Sequence, residues 1–196
     1  KTWQDDDTRR LLTERAVQDD HWYCRSTALK ELAKTWQDAD TRRLLTERAV
    51  QDESYDCRST ALEVLAKTWQ DDETYRLLTE RAVQDGSYRC RSTALYALAN
   101  TWQDADTRRL LTERAPVEGV AAALLGQAHS RFGEILFTKD LDGGYPYLDP
   151  RQAIPRKHIE RAAEKAGLAA AQIDETVRTL SAHLGWDITL GSGAAA

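Results

Sequence analysis

The sequence predicts an all-α chain: an α-solenoid of four 33-residue helical hairpins with a small helical C-terminal cap. Three observations carry that expectation. The stretch Leu11–Trp36 returns as Leu44–Trp69 and again as Leu77–Trp102, a period of 33 residues, and a fixed period of this size marks stacked units that cannot bury their apolar faces alone. Each period holds two runs of apolar residues at helical spacing, neither interrupted by glycine or proline. The fourth copy keeps NTWQDADTRRLLTERA and then breaks at Pro116.

In each unit the first helix is expected from about Asp7 to Gln18, with Leu11, Leu12 and Ala16 on one face. The second is expected from about Trp22 to Trp36, with Trp22, Cys24, Ala28, Leu29, Leu32, Ala33 and Trp36 on the buried side. Asp5 and Asp7 before the first helix, and Asp19 to His21 or Asp52 to Ser54 before the second, supply the oxygen acceptors that helix starts need. Units begin at 1, 34, 67 and 100, so the array is expected over residues 1–116 and a modified last helix plus cap over 117–196.

Beyond Pro116, Val120 to Phe132 reads as a helix covering the last repeat, with Val120, Leu124, Leu125 and Ala128 on a stripe, while the apolar run at 133–137 fits a helix end or a strand. Residues 139–154 read as a loop, whose Asp140, Asp142 and Asp149 lack the alternate spacing of a calcium loop. Pro155 is placed to open a helix closed by Gly167. A further helix is expected from about Ala170 to Leu184, with Ile173, Val177, Leu180 and Leu184 inward, then Trp186 and Ile188 as anchors and a flexible GSGAAA tail.

The order Leu-Leu, Asp19, Cys24-Arg25, Ala28-Leu29, Leu32 resembles the short bacterial HEAT repeat, with cysteine where the second helix usually opens with valine before its arginine. The resemblance implies a right-handed α-solenoid and an Asp/Arg ladder along it. On the wheel Arg25, Arg58 and Arg91 fall within the apolar arc, and a buried guanidinium must be paired. The repeated Asp19, Asp52 and Asp85 are the available partners; a phosphate-binding arginine row is the alternative. Trp3, Trp36, Trp69 and Trp102 form a second ladder at the hairpin junctions, read as packing, with a stacking platform as the alternative. Cys24, Cys57 and Cys90 repeat one position, on helices too far apart for disulfides, and are expected as small buried thiols.

The copies differ at Tyr23/Asp56/Arg89, Lys30/Glu63/Tyr96 and Glu31/Val64/Ala97, which share one side of the second helix opposite the Leu/Ala arc. Either an unselected surface drifts there, or these nine residues form a partner-binding face; tyrosine and arginine suit the latter. In HEAT-like solenoids the second helices commonly line the concave, partner-binding side.

Composition narrows the classes. The chain has 196 residues, 30% charged, with a net charge of -5, and neither part has the basic excess that nucleic acid attracts. A helix pair about Gly167 has helix-turn-helix spacing, yet its second helix opens with Asp174 and Glu175, which repel phosphates. No apolar run is long enough for a membrane span, so a cytoplasmic chain is expected. HEAT-like di-iron hydroxylases use repeated His-Glu pairs, but His21, His129, His158 and His183 are never followed by Glu. No nucleophile with a base assembles either, so neither catalysis nor a cofactor or metal is expected. With no methionine and a start at a repeat boundary, the chain reads as a piece of a longer protein, any catalytic domain lying upstream.

The C-terminal YLDPRQAIPRKHIERAAEKAG and SAHLGWDIT are similar to endings of bacterial NACHT-type STAND NTPases that carry HEAT-like sensor arrays. That similarity implies a sensing or scaffold part of a signalling or defence protein, bound to a protein partner or another domain of its parent. The alternative is a self-associating array stacking end to end, because near-identical hairpin interfaces fit one another.

Overall fold

The computed structural model describes residues 5–115, 117, 121, 124–126, 130–137, 153–185, 188 and 190–191. The chain falls into two compact units, residues 1–102 and 103–196. The repeat sequence therefore runs past the end of the first unit, whose boundary precedes the one expected at 116.

The first unit is a stack of three helical hairpins, α1 (Asp6–Gln18) with α2 (Trp22–Thr35), α3 (Ala39–Gln51) with α4 (Tyr55–Thr68), and α5 (Asp72–Gln84) with α6 (Tyr88–Thr101). It is a HEAT-like α-solenoid. Ala28, Leu29, Leu32 and Ala33 of α2, and Ala61, Leu62, Leu65 and Ala66 of α4, are buried, as are Ala94, Leu95 and Leu98 of α6. Small residues at these interfaces let α2 and α6 approach α4 closely at the backbone. The first helices, thick with Arg and Leu, do not approach one another to the same extent.

Each first helix is opened by the same device. Asp5, Asp38 and Asp71 cap α1, α3 and α5, their carboxylates accepting the backbone N–H of Thr8, Thr41 and Thr74 at 2.7, 3.0 and 3.0 Å. In the second unit Asp104 does the same for Thr107 at 2.7 Å, opening α7 (Ala105–Arg114). These N–H bonds hold all four carboxyls below the ordinary Asp value. Because the folded-state value is depressed, the stabilisation is complete above the unfolded value near about pH 4 and is lost as pH falls below it. Asn keeps the capping acceptor without titrating. We expect the melting midpoint of the Asp38→Asn/Asp71→Asn variant to fall less steeply than that of the parent chain between about pH 4 and pH 2; parallel slopes would refute the assignment.

Each second helix ends at a tryptophan. The N–H of Trp36, Trp69 and Trp102 closes on the carbonyl of Leu32, Leu65 and Leu98 at 2.7, 2.9 and 2.8 Å, and all three indoles are half-buried. Trp36 lies under the Arg9 guanidinium, 5.9 Å from the ring centroid, and Trp102 meets Tyr75 edge-on at 5.6 Å. Trp3 lies outside the described residues.

Three residues expected inside are outside. Trp22 is exposed although its direction matches Leu29, because it is the first residue of α2 and projects past the cover of the neighbouring helices. Cys57 and Cys90 are buried, their thiols donating to the carbonyls of Trp22 and Tyr55 in the preceding hairpin. No described hairpin precedes α1, so Cys24 is exposed, and so is Leu11. Burial pushes the Cys57 thiol up to about 11 and raises Cys90 as well.

In the second unit, residues 121 and 124–126 are helical, and α8 (Arg131–Leu136) starts separately behind Ser130, whose hydroxyl accepts the Gly133 N–H. The helix expected unbroken from Val120 to Phe132 is thus broken at Ser130. The 133–137 run belongs to α8 and its end, not to a strand. Gly133 is required there, since a Cβ would lie 2.2 Å from the Gly126 carbonyl oxygen.

Then follow β1 (Ile154–Pro155), α9 (Arg156–Ala166), a 3₁₀ turn (Ala170–Gln172), α10 (Ile173–Leu184) and β2 (Leu190–Gly191). Pro155 precedes α9 instead of opening it. β1 and β2 pair in parallel, Ile154 with Leu190 and Pro155 with Gly191, a small strand pair in a cap expected to be wholly helical. Gly167 and Gly185 end α9 and α10 at φ 75° and 62°. Ile159, Ala162 and Ala163 of α9 and Ile173, Val177, Leu180 and Leu184 of α10 are buried. Most of the 139–154 loop with its three aspartates, Trp186 and the last five residues of the chain lie outside the described residues.

Candidate functional site

The row of second helices carries Tyr23/Asp56/Arg89, Lys30/Glu63/Tyr96 and Glu31/Val64/Ala97, where the copies differ in character, and those positions gather in two places. At the helix starts, Arg89 of α6 pairs with Asp56 of α4 at 3.1 Å and lies over the Tyr55 ring at 5.9 Å from its centroid. Arg89 and Asp56 thus satisfy each other across neighbouring hairpins. Tyr23, the counterpart in α2, is 61% exposed and stands edge-on to Trp22.

Farther along, Glu63 of α4 and Tyr96 and Ala97 of α6 line a groove of about 410 Å³ with Ala66, Lys67 and Thr93. Ala66 and Ala97 leave the space, Tyr96 forms a half-open wall, and Glu63 with Lys67, bonded at 2.6 Å, forms a charged rim. Between α2 and α4 the corresponding residues are Lys30, Glu63 and Val64, and Glu31 beside Lys30 pairs with Lys34 of its own helix at 3.6 Å. The sequence directions place all nine residues on the second helices, and among the described residues Glu63, Tyr96 and Ala97 line one groove together.

Behind this face runs a row of arginine–carboxylate pairs. Arg25 donates from Nε and Nη2 to the two carboxylate oxygens of Asp52 at 3.1 and 2.9 Å, and from Nη1 to the Asp19 carbonyl at 2.8 Å. Arg58 repeats the pattern on Asp85, at 3.1 Å twice, and on the Asp52 carbonyl at 2.8 Å. Arg25 and Arg58 therefore each take the carboxylate of the following hairpin and only backbone carbonyls of their own. Arg91 donates to the Asp85 carbonyl at 2.9 Å. Bonding to Asp52 pushes the Arg25 guanidinium above its ordinary value against the cost of burial. At Asp85 burial works to raise the carboxyl, and the bonds from Arg58 and the Ser87 N–H outweigh it and hold the carboxyl low.

Residues 9–99 match the family model for HEAT repeats. The match spans α1 to α6, the hairpins that carry both the second-helix face and the arginine row. HEAT repeats generally mediate protein–protein interaction and typically serve as non-catalytic scaffolds. Residues 128–185 match a second family model, described as wHTH-Hsp90_Na associated. In that region α9, the Gly167 turn and α10 have helix-turn-helix order, and α10 begins with exposed Asp174 and Glu175, the former bonded to Arg156 at 2.6 Å. No curated protein and no solved structure matches the chain.

Among the described residues no cluster of His, Cys, Asp and Glu is arranged to hold a metal ion, and no helix is long and apolar enough to cross a membrane. Sequence reasoning missed the exposed row Trp22, Tyr55 and Tyr88, aromatic at one position in all three copies. Its period was visible, but a helical wheel carries direction without depth along the axis. The groove-lining Lys67 and Thr93 were also missed, because they belong to neighbouring hairpins and only stacking brings them together.

Proposed function

We propose that the HEAT-like array is a protein-binding module whose partner lies on the second-helix face, entering the groove between α4 and α6. The observation that carries this reading is that the groove is lined by Glu63, Tyr96 and Ala97, positions where the copies differ, against a framework of buried Leu and Ala that repeats. Tyrosine in a groove beside small residues offers a rigid apolar anchor with a polar tip. Tyr23, Lys30 and Glu31 of α2, Asp56 and Val64 of α4 and Arg89 of α6 extend the face.

On this reading the chain is the ligand-sensing or scaffold part of a larger bacterial signalling or defence NTPase, and it works in the cytoplasm. The similarity of its C-terminal stretch to STAND-protein endings supports that assignment. The partner is then a protein or another domain of the parent. An end-to-end array is the competing reading, supported by the near-identity of the hairpin interfaces, and mass in solution that grows with concentration would favour it.

The test places a photo-crosslinking phenylalanine analogue at position 96, or at the exposed Val17 position of α1 as a control, in the cells that make the protein. A protein adduct at 96 and not at 17 is expected. Binding of the purified adduct partner should weaken at least about tenfold when Tyr96→Ala is combined with Glu63→Lys, with helicity unchanged. Equal adducts at both positions, or binding indifferent to the double change, would overturn the proposal.

A further inference from the structure

We propose that the groove between α4 and α6 receives an extended segment of a partner protein, whose large apolar side chain fills the groove and whose acidic residue four positions away meets Lys30 of α2. The inference rests on the reading that a protein partner enters this groove, and it names the chemistry of the segment that enters. A difference between copies opens the space. Ala97 stands where α4 carries Val64, so the seam of α4 with α6 lacks a branched side chain there, and Ala66 adds no bulk from the other side.

The walls decide which backbone fits. Thr93, Tyr96, Asn100, Lys67 and Glu63 border the groove, and their hydroxyl, amide, ammonium and carboxylate groups offer both donors and acceptors. An extended segment brings N–H and C=O groups that need such partners, whereas a helix satisfies its own. A helix is also about 10–12 Å across with its side chains, too wide to sink into about 410 Å³ between two helices whose axes pack about 8–10 Å apart.

The same two positions on the three second helices grade from charged to neutral: Lys30 and Lys34 on α2, Glu63 and Lys67 on α4, Tyr96 and Asn100 on α6. The carboxylates of this face are already taken. Glu31 pairs with Lys34 at 3.6 Å, Asp56 with Arg89 at 3.1 Å and Glu63 with Lys67 at 2.6 Å. Lys30 is exposed, and among the described residues no carboxylate pairs with it. Its counterpart Glu63 lies on a helix packed between two others and is half exposed all the same, so the openness belongs to the position in the repeat. A basic segment would meet only paired carboxylates and the Lys30 ammonium. An acidic one finds an open cation.

Spacing ties the two features together. Lys30, Glu63 and Tyr96 follow one another at one repeat each, and the groove lies between the last two. With helices about 8–10 Å apart, the groove centre is about 12–15 Å from Lys30. An extended chain rises about 3.3 Å per residue, so four residues cover that distance. An even number also keeps both side chains on the face turned to the array.

The experiment selects random dodecapeptides displayed on phage against the 196-residue chain, after removing those that bind the Ala97→Val variant. Valine is the residue α4 carries at this position, so the variant keeps the fold, and its helicity is measured alongside. Expected are peptides with a Leu, Ile or Phe four positions from an Asp or Glu. A synthetic copy should bind the parent chain at least about tenfold more tightly than Ala97→Val. Lys30→Glu, at an exposed position, should weaken it at least about threefold at low salt, the difference shrinking towards about 1 M salt. Enrichment of no sequence, enriched sequences without that spacing, or binding indifferent to Lys30→Glu would overturn the proposal. The adduct captured at position 96 separates this inference from the reading beneath it. A partner that needs Tyr96 and Glu63 but ignores Lys30→Glu leaves the groove a protein-binding site and overturns its acidic, extended occupant alone.

Discussion

Replacing Asp52 with alanine should lower the unfolding free energy by about 3–5 kcal/mol, the usual loss when a buried ion pair is left with one member. Arg25 and Asp52 are both buried, and the guanidinium would keep only carbonyl bonds from Asp19 and Asp20 and a contact to the exposed Glu53 at 3.3 Å. The same carboxylate accepts the Ser54 N–H, so the turn into α4 is weakened as well. Asp52→Asn keeps that acceptor and should cost less. Arg25→Met combined with Asp52→Leu removes both charges and should recover much of the loss, because apolar groups of similar volume need no partner. Urea unfolding followed by helicity gives the comparison. If Asp52→Ala proves as stable as the parent, the row of pairs is not a stabilising feature.

Leu62→Ala should be comparably damaging for a different reason. Leu62 is fully buried at the centre of α4, between α2 and α6, and a truncated leucine in such a site costs about 2–5 kcal/mol as lost apolar transfer plus a cavity. In a compact unit of this size the melting midpoint should fall by at least about 8 °C. Leu11→Ala, at an exposed position, should stay within about 0.5 kcal/mol of the parent. A one-dimensional stack transmits the first change to both neighbouring interfaces, whereas Leu11 is exposed and its truncation opens no cavity. Equal effects at the two positions would contradict the burial described.

Two residues show how far the sequence could be read. Leu62 was legible because its 33-residue period and helical spacing together leave one direction for the core. Asp52 was legible as a helix-start acceptor and as an acid available to an arginine, but not as the particular partner of Arg25. That assignment depends on which hairpin's turn lies against α2, and the bond joins residues of adjacent units. Trp22 and Cys24 show the same limit from the other side. Their direction on the helix was read correctly, and their exposure follows from what does or does not lie over the end of α2.

The second unit was harder to read, since no repeat checks one segment against another. The break at Ser130 follows from a capping hydroxyl and the close approach of Gly126 and Gly133, a contact between backbones that no side-chain period records. The pairing of Ile154–Pro155 with Leu190–Gly191 is likewise a backbone event, between segments separated by two helices.

By itself the sequence determined the all-α repeat architecture, the two-helix unit, the acidic residues at its helix starts and its Leu/Ala core. These depend on interactions within about one turn of helix and on a period that repetition makes unmistakable. Only the tertiary structure decided which carboxylates Arg25 and Arg58 take and which of the nine varying residues line the groove between α4 and α6. Each depends on the stacking of hairpins whose residues are brought together by packing, and local spacing carries no distance between them.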